Sequence, residues 1–170
     1  MVVAKSDYTY CVDKKALIAK IIEKLEEERT ALAQAAISTY EAATHEESEA
    51  EDQYDTRGLE ASYLAGAQAK RVIDLEQFIT YCKFLEVKAY GEEDPINAGA
   101  LVELDQDGKI SWVFLLPKGG GMSLEFDGHT IQIVTPKSPL GDAIVGRHAG
   151  DLALVDTGKE TREYEIVSVH

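Results

Sequence analysis

Proline is absent from Asp13 to Tyr90, and only Gly58 and Gly66 interrupt that stretch as glycines. A segment so free of helix breakers excludes a turn-rich all-β start. Cysteine is scarce as well: Cys11 and Cys82 are the two in the chain. Two isolated thiols do not make a disulfide framework, and neither sits in a CxxC pair, so reduced thiols in a cytoplasmic protein are expected. No apolar run approaches the roughly 18 to 20 residues that a membrane-spanning helix needs. The first eleven residues carry one lysine and no apolar run, so no signal peptide is expected either. Basic side chains are the remaining shortage. Against 31 Asp and Glu stand 17 Lys and Arg, for a net charge of -14. That balance argues against nonspecific binding to nucleic acid, which needs cations to displace phosphate counterions. Acidity of this kind keeps a chain soluble, or suits it to a basic surface or a bound cation.

What fills the proline-free stretch is Ala, Leu, Glu and Lys, all good helix formers. Asp13 is a fitting N-cap. Ile18, Ile21, Leu25, Leu32 and Ala35 recur near heptad spacing, and Val72, Leu75, Ile79, Cys82 and Leu85 form a second series. Both read as coiled-coil seams. Between them Thr44-His45-Glu46-Glu47-Ser48 has no apolar residue, and Ser48-Glu49-Ala50-Glu51 reads as a capping box opening the second helix. The midpoint of the stretch falls near residue 50. Two arms of roughly 35 residues would fold back there and reach about 50 Å at 1.5 Å per residue.

After Tyr90 the composition changes. Gly91-Glu92-Glu93-Asp94-Pro95 reads as a linker. Short β-type runs follow: Ala100 to Leu104, Ile110 to Leu116, Ser123 to Phe126, Thr130 to Val134, Leu152 to Val155 and Arg162 to Val169. Turn residues separate them at Asp107-Gly108, Gly119-Gly120-Gly121, Asp127-Gly128 and Thr157-Gly158. One short helix is predicted over Pro139 to Val145, with Ser138 as N-cap and Gly146 as C-cap. The fold class is therefore α+β. An antiparallel coiled-coil hairpin spans 1–90, with an acidic tip near 45–55, and a β-rich domain spans 91–170.

Chemistry has few candidates. At the tip, Glu41, Glu46, Glu47, Glu49, Glu51, Asp52, Asp55 and Glu60 have only Arg57 nearby as a basic residue. Repulsion of this kind is tolerated by a solvated turn, and it is relieved by a cation. Mg2+ is held by only one or two carboxylates plus waters and phosphates, so such a tip suits a metal shared with a partner. The triple glycine after Lys118 lacks phosphate-loop spacing and precedes a strand, so a flexible hairpin turn is expected there. The four histidines are scattered without metal-ligand spacing. No nucleophile elbow is present, and a stand-alone enzyme is not supported.

The run Ser138-Pro139-Leu140-Gly141-Asp142-Ala143-Ile144-Val145-Gly146-Arg147-His148-Ala149-Gly150-Asp151, closing on Tyr164-Glu165-Ile166-Val167, resembles the C-terminal domain of Gre transcription elongation factors. Asn97-Ala98-Gly99-Ala100-Leu101-Val102 resembles the segment that opens the same domain. Together with the hairpin, the resemblance covers nearly the whole chain. It implies an FKBP-like C-terminal domain that binds bacterial RNA polymerase at the rim of its secondary channel, with Ser138, Pro139, Leu140, Gly141 and Asp142 as the contact segment. It implies a coiled coil that enters the channel toward the nascent RNA 3′ end. It further implies tip carboxylates that help hold the polymerase's second Mg2+, with no cofactor of the chain's own. The implied outcome is stimulated cleavage of backtracked RNA.

The tip departs from the family pattern, which is Asp-x-x-Glu-Asn followed shortly by Tyr. Here the chain reads Glu47-Ser48-Glu49-Ala50-Glu51-Asp52-Gln53-Tyr54. Glu47 and Glu51 are the expected metal-holding pair, one residue further apart than in the family. Asp52 and Asp55 are the reserve pair, and either pair lies on one helix face. Because the spacing is altered, a noncatalytic channel regulator stands as the alternative to a cleavage factor.

Overall fold

The computed structural model describes residues 12–44, 57–91, 93–156, 158 and 160–170. Helix α1 runs over Lys14–Thr44 and helix α2 over Arg57–Phe84. Asp13 caps α1: its Oδ1 accepts from the backbone N–H of Lys15 at 3.0 Å and of Ala16 at 3.1 Å. Thr30 and Thr39 lie inside α1, where threonine is a weak helix former. Each hydroxyl donates to the carbonyl four residues back, Glu26 and Ala35, at 2.8 Å. The 31 and 28 residues of the two helices give lengths of about 46 and 42 Å. The Ser48 capping box lies outside the described residues.

The chain divides into two compact units. One is Ile18–Leu85, the helical hairpin. The other joins the described residues up to Leu17 to Glu86–His170. The first turn of α1 thus groups with the sheet, whereas sequence composition placed everything before residue 90 with the hairpin.

Within the hairpin unit the heptad positions are unevenly buried. Ile18, Ile21 and Leu25 on α1, and Ile79 and Cys82 on α2, are buried. Leu32, Ala35, Val72 and Leu75 are only half-buried. Phe78, which the heptad reading passed over, is buried beside Ile79. Exposed ion pairs between described residues join the arms, Lys83 to Glu26 at 2.9 Å and Arg71 to Glu28 at 3.8 Å among them. The Lys83 hydrogen bond holds the Glu26 carboxyl below its ordinary range.

Among the described residues the sheet unit contains six strands: β1 Leu101–Gln106, β2 Lys109–Leu115, β3 Ser123–Phe126, β4 His129–Val134, β5 Leu152–Asp156 and β6 Thr161–Val169. Their order is β3-β4-β2-β1-β6-β5. β2 and β4 run parallel and every other neighbouring pair is antiparallel, so the sheet is mixed. The β1–β2 and β3–β4 turns place Asp107 and Asp127 at φ of 53° and 50°, each followed by a positive-φ glycine. This is the mirror-image two-residue turn that matches strand twist, and Asp-Gly favours it. Helix α3 covers Pro139–Ile144, one residue shorter than predicted, with Val145 as C-cap and Gly146 following at φ 76°.

The triple glycine departs from the expectation of a hairpin turn. β2 and β3 are not neighbours, because β4 lies between them. The segment therefore closes no hairpin. It is a tight turn, with Met122 N–H donating to the Gly119 carbonyl at 3.1 Å, and it is stitched to β4 through Gly121 N–H to the Ile133 carbonyl at 3.1 Å.

Strand alternation sorts the core. Val102, Leu104, Val113, Leu115, Val134, Ala153 and Ile166 share one buried cluster with Ile96, Ala100 and Ile144 of α3. The alternate residues Leu101, Trp112, Phe114, Leu124, Ile131 and Ile133 are also buried. They belong to the opposite face by register. This is why the middle strands read as nearly continuous apolar runs.

Candidate functional site

The segment leading into α3 is held by its own backbone. Ser138 takes an extended conformation, and its hydroxyl accepts from Gly141 N–H at 3.1 Å while donating to the Thr135 carbonyl at 2.7 Å. Pro139 occupies the first helical turn, where its missing N–H costs nothing. Behind α3, Gly146 N–H donates to the Ile96 carbonyl at 2.9 Å, and Ile96 N–H donates to the Arg147 carbonyl at 2.8 Å. The helix is thereby tied to the segment that opens the unit.

The five residues of this segment have different environments. Pro139 and Asp142 are exposed, and Ser138 and Leu140 are half-buried, with Leu140 packed against the core cluster. Gly141 is buried, and a Cβ there would stand 1.9 Å from the Thr135 backbone carbonyl oxygen. Glycine at 141 is thus required by packing. A partner can touch Pro139, Asp142 and the outer parts of Ser138 and Leu140.

The tip carboxylates Glu47, Glu51, Asp52 and Asp55 lie outside the described residues. Among the described residues, no group of three or more His, Cys, Asp or Glu could hold a metal ion.

Two arrangements escaped the sequence reading because they depend on distant pairing. The scattered histidines His129 and His170 both meet Trp112, with ring centroids 5.4 and 5.7 Å from it. Ser168 Oγ donates to Glu103 Oε2 at 2.8 Å and lies 2.9 Å from His170 Nε2. Burial lowers the His170 pKa from its ordinary value. Glu, Ser and His are assembled here, but the serine stands in the middle. In a Ser-His-Asp triad the imidazole stands between acid and hydroxyl; here the single hydroxyl proton of Ser168 goes to Glu103, and the network fastens β6 to β1.

Lys14 is the second arrangement. It is buried, its Nζ donates to the carbonyls of Lys88 and, at 3.4 Å, Gly99, and it sits 4.8 Å from the centre of the Tyr90 ring. Burial first, and then the charge of Lys88, push its pKa down to about 8.

No protein-family model matches the chain. The transcription inhibitor protein Gfh1 of Thermus thermophilus is 30% identical to it over 159 residues, which is 92% of this chain and 94% of the relative. The Gfh1 of Thermus aquaticus matches with the same identity and coverage. Among solved structures, the crystal structure of GreA factor homolog 1 (Gfh1) of Thermus thermophilus is 26% identical. It covers 90% of this chain and 94% of its own, at a TM-score of 0.36. The match along almost the whole of both sequences places this hairpin-and-sheet chain in the Gre family of transcription factors.

Proposed function

We propose that this protein is a noncatalytic regulator of bacterial RNA polymerase that occupies the secondary channel and restrains transcription. The observation that carries this reading is the 30% identity, over 92% of the chain, to proteins named as transcription inhibitors. The altered tip sequence agrees with it. Glu47 and Glu51 are four residues apart where the Gre cleavage pattern has three. Metal-assisted hydrolysis depends on the placement of the ion and its water, and a change in the spacing of a carboxylate pair works against it. In this reading the sheet unit docks on the polymerase through Ser138–Asp142, and the hairpin approaches the nascent RNA 3′ end.

A second reading, stimulation of transcript cleavage, is favoured by the density of carboxylates around Glu47, Glu51, Asp52 and Asp55. One experiment separates the two. Purified protein is added to stalled, backtracked polymerase with Mg2+, alone and in competition with an active Gre cleavage factor. The proposed function predicts no RNA 3′ fragments from the protein alone, reduced fragment release in the competition, and slowed elongation. Fragment release that is lost in Glu47→Ala or Glu51→Ala establishes the second reading instead.

A further inference from the structure

Strand register places a mixed apolar and acidic row on the outer part of the sheet. Ile110 pairs with Asp105, Asp105 with Glu165, and Glu165 with Leu152, so these four side chains line up across β2, β1, β6 and β5. In the next row out, Leu154 pairs with Glu163. The three apolar members are open to solvent: Ile110 is 48% exposed, Leu152 50% and Leu154 58%. Their strand neighbours Ala153 and Val155 point the other way and are buried. Glu163 and Glu165 are exposed, and Asp105 is half-buried.

A solvated sheet face normally intersperses charges of both signs. Here Asp105 and Glu165 stand directly opposite each other, an arrangement that destabilises a strand pair. Neither row contains a lysine or arginine: Arg162 pairs with buried Val155 and so lies on the other face. Aliphatic side chains set among carboxylates whose own rows hold no lysine or arginine match a surface that supplies both aliphatic contact and positive charge. The four-strand row is about 14 Å across at roughly 4.8 Å per strand, close to the 10 to 12 Å diameter of one α-helix.

From this we infer that the outer face of β1, β6 and β5, with Ile110 on β2, docks a basic amphipathic helix of RNA polymerase, a contact separate from the Ser138–Asp142 segment; it rests on the function proposed above. A second copy of this chain is a poor occupant. A two-fold contact would set Asp105, Glu163 and Glu165 against their own counterparts, and the chain carries a net charge of -14.

The test uses the full-length protein and core RNA polymerase, with affinity measured at two salt concentrations. Glu163→Lys with Glu165→Lys, and separately Leu152→Ser with Leu154→Ser, are expected to weaken binding by about tenfold or more, and the charge reversal is expected to flatten the salt dependence. Glu93→Lys with Glu125→Lys changes net charge equally at exposed positions elsewhere and is expected to bind as the parent does. Trp112 fluorescence confirms that each variant is folded. If the parent binds polymerase and the face variants bind equally well, or the control loses as much, this docking face is refuted while the polymerase reading stands. If the parent does not bind polymerase at all, both fall. Concentration-dependent self-association that the face variants abolish makes a second copy the occupant and overturns the inference.

Discussion

Replacing Gly141 with alanine tests whether the motif residue is there for packing. In α3 the added methyl would stand 1.9 Å from the Thr135 carbonyl oxygen, 2.7 Å from the Thr135 carbonyl carbon and 3.0 Å from Ser138 Oγ. Contacts under 3.0 Å are essentially never seen, so helix and loop must separate by roughly 1.1 Å. The loop cannot yield freely, because Thr135 O accepts from both Ser138 N–H and Ser138 Oγ. Overpacking of this kind costs about 1 to 3 kcal/mol. Loss of the Ser138 cap as the loop shifts adds about 1 kcal/mol. Helix propensity acts in the opposite direction, favouring alanine by about 1 kcal/mol. The expected net loss is about 1 to 3 kcal/mol in the sheet unit. Trp112 is the chain's one tryptophan and lies in that unit, so urea unfolding followed by its fluorescence reads the change. Gly66 is the matched control. It lies in α2 with nothing within 4 Å of where an alanine methyl would stand, so Gly66→Ala should stabilise the hairpin by about 1 kcal/mol, read by circular dichroism. A Gly141→Ala variant as stable as the parent would refute the packing argument.

Three further outcomes are expected. Asp13→Ala removes the acceptor for two backbone N–H groups and should destabilise the start of α1 by about 1 kcal/mol, measured by denaturant unfolding. The Lys14 ammonium titrates at about 8 when folded and near 10.5 when unfolded, so the unfolded chain binds more protons between these values. Sheet-unit stability followed by Trp112 should therefore rise as pH climbs from 8 toward 10, and Lys14→Met should remove that rise. Cys82 is buried, with its thiol pushed up to about 11 by burial. In a Cys11→Ser background a thiol reagent at pH 8 should therefore label Cys82 only as fast as the hairpin opens, and labelling at the rate of a free thiol would contradict this.

Much of the fold was legible in the chain because its signals are local. Asp-Gly at 107–108 and 127–128 specifies a turn by itself, since few residues accept positive φ at consecutive positions. The cap at Ser138 and the proline after it specify the start of α3 in the same way. The triple glycine shows the limit. Its composition announced a turn, but whether the turn closes a hairpin depended on β4 entering between β2 and β3. The site was less legible than the fold. Gly141 read as part of a contact motif, yet its surroundings show a packing requirement that no neighbouring residue in sequence reveals.

By itself the sequence determined the proline-free helical arms, the number of strands and their placement to within one or two residues, the Asp-Gly turns, the acidic balance and the Gre resemblance. Each of these depends on residues within a few positions of one another, or on composition. Tertiary structure alone decided that Lys14 is buried against the carbonyls of Lys88 and Gly99, that His129 and His170 share Trp112, and that Ile110, Asp105, Glu165 and Leu152 form one row. Those neighbours come from elements far apart in the chain. Only the register and order of the strands, set by packing of the whole sheet, bring them together.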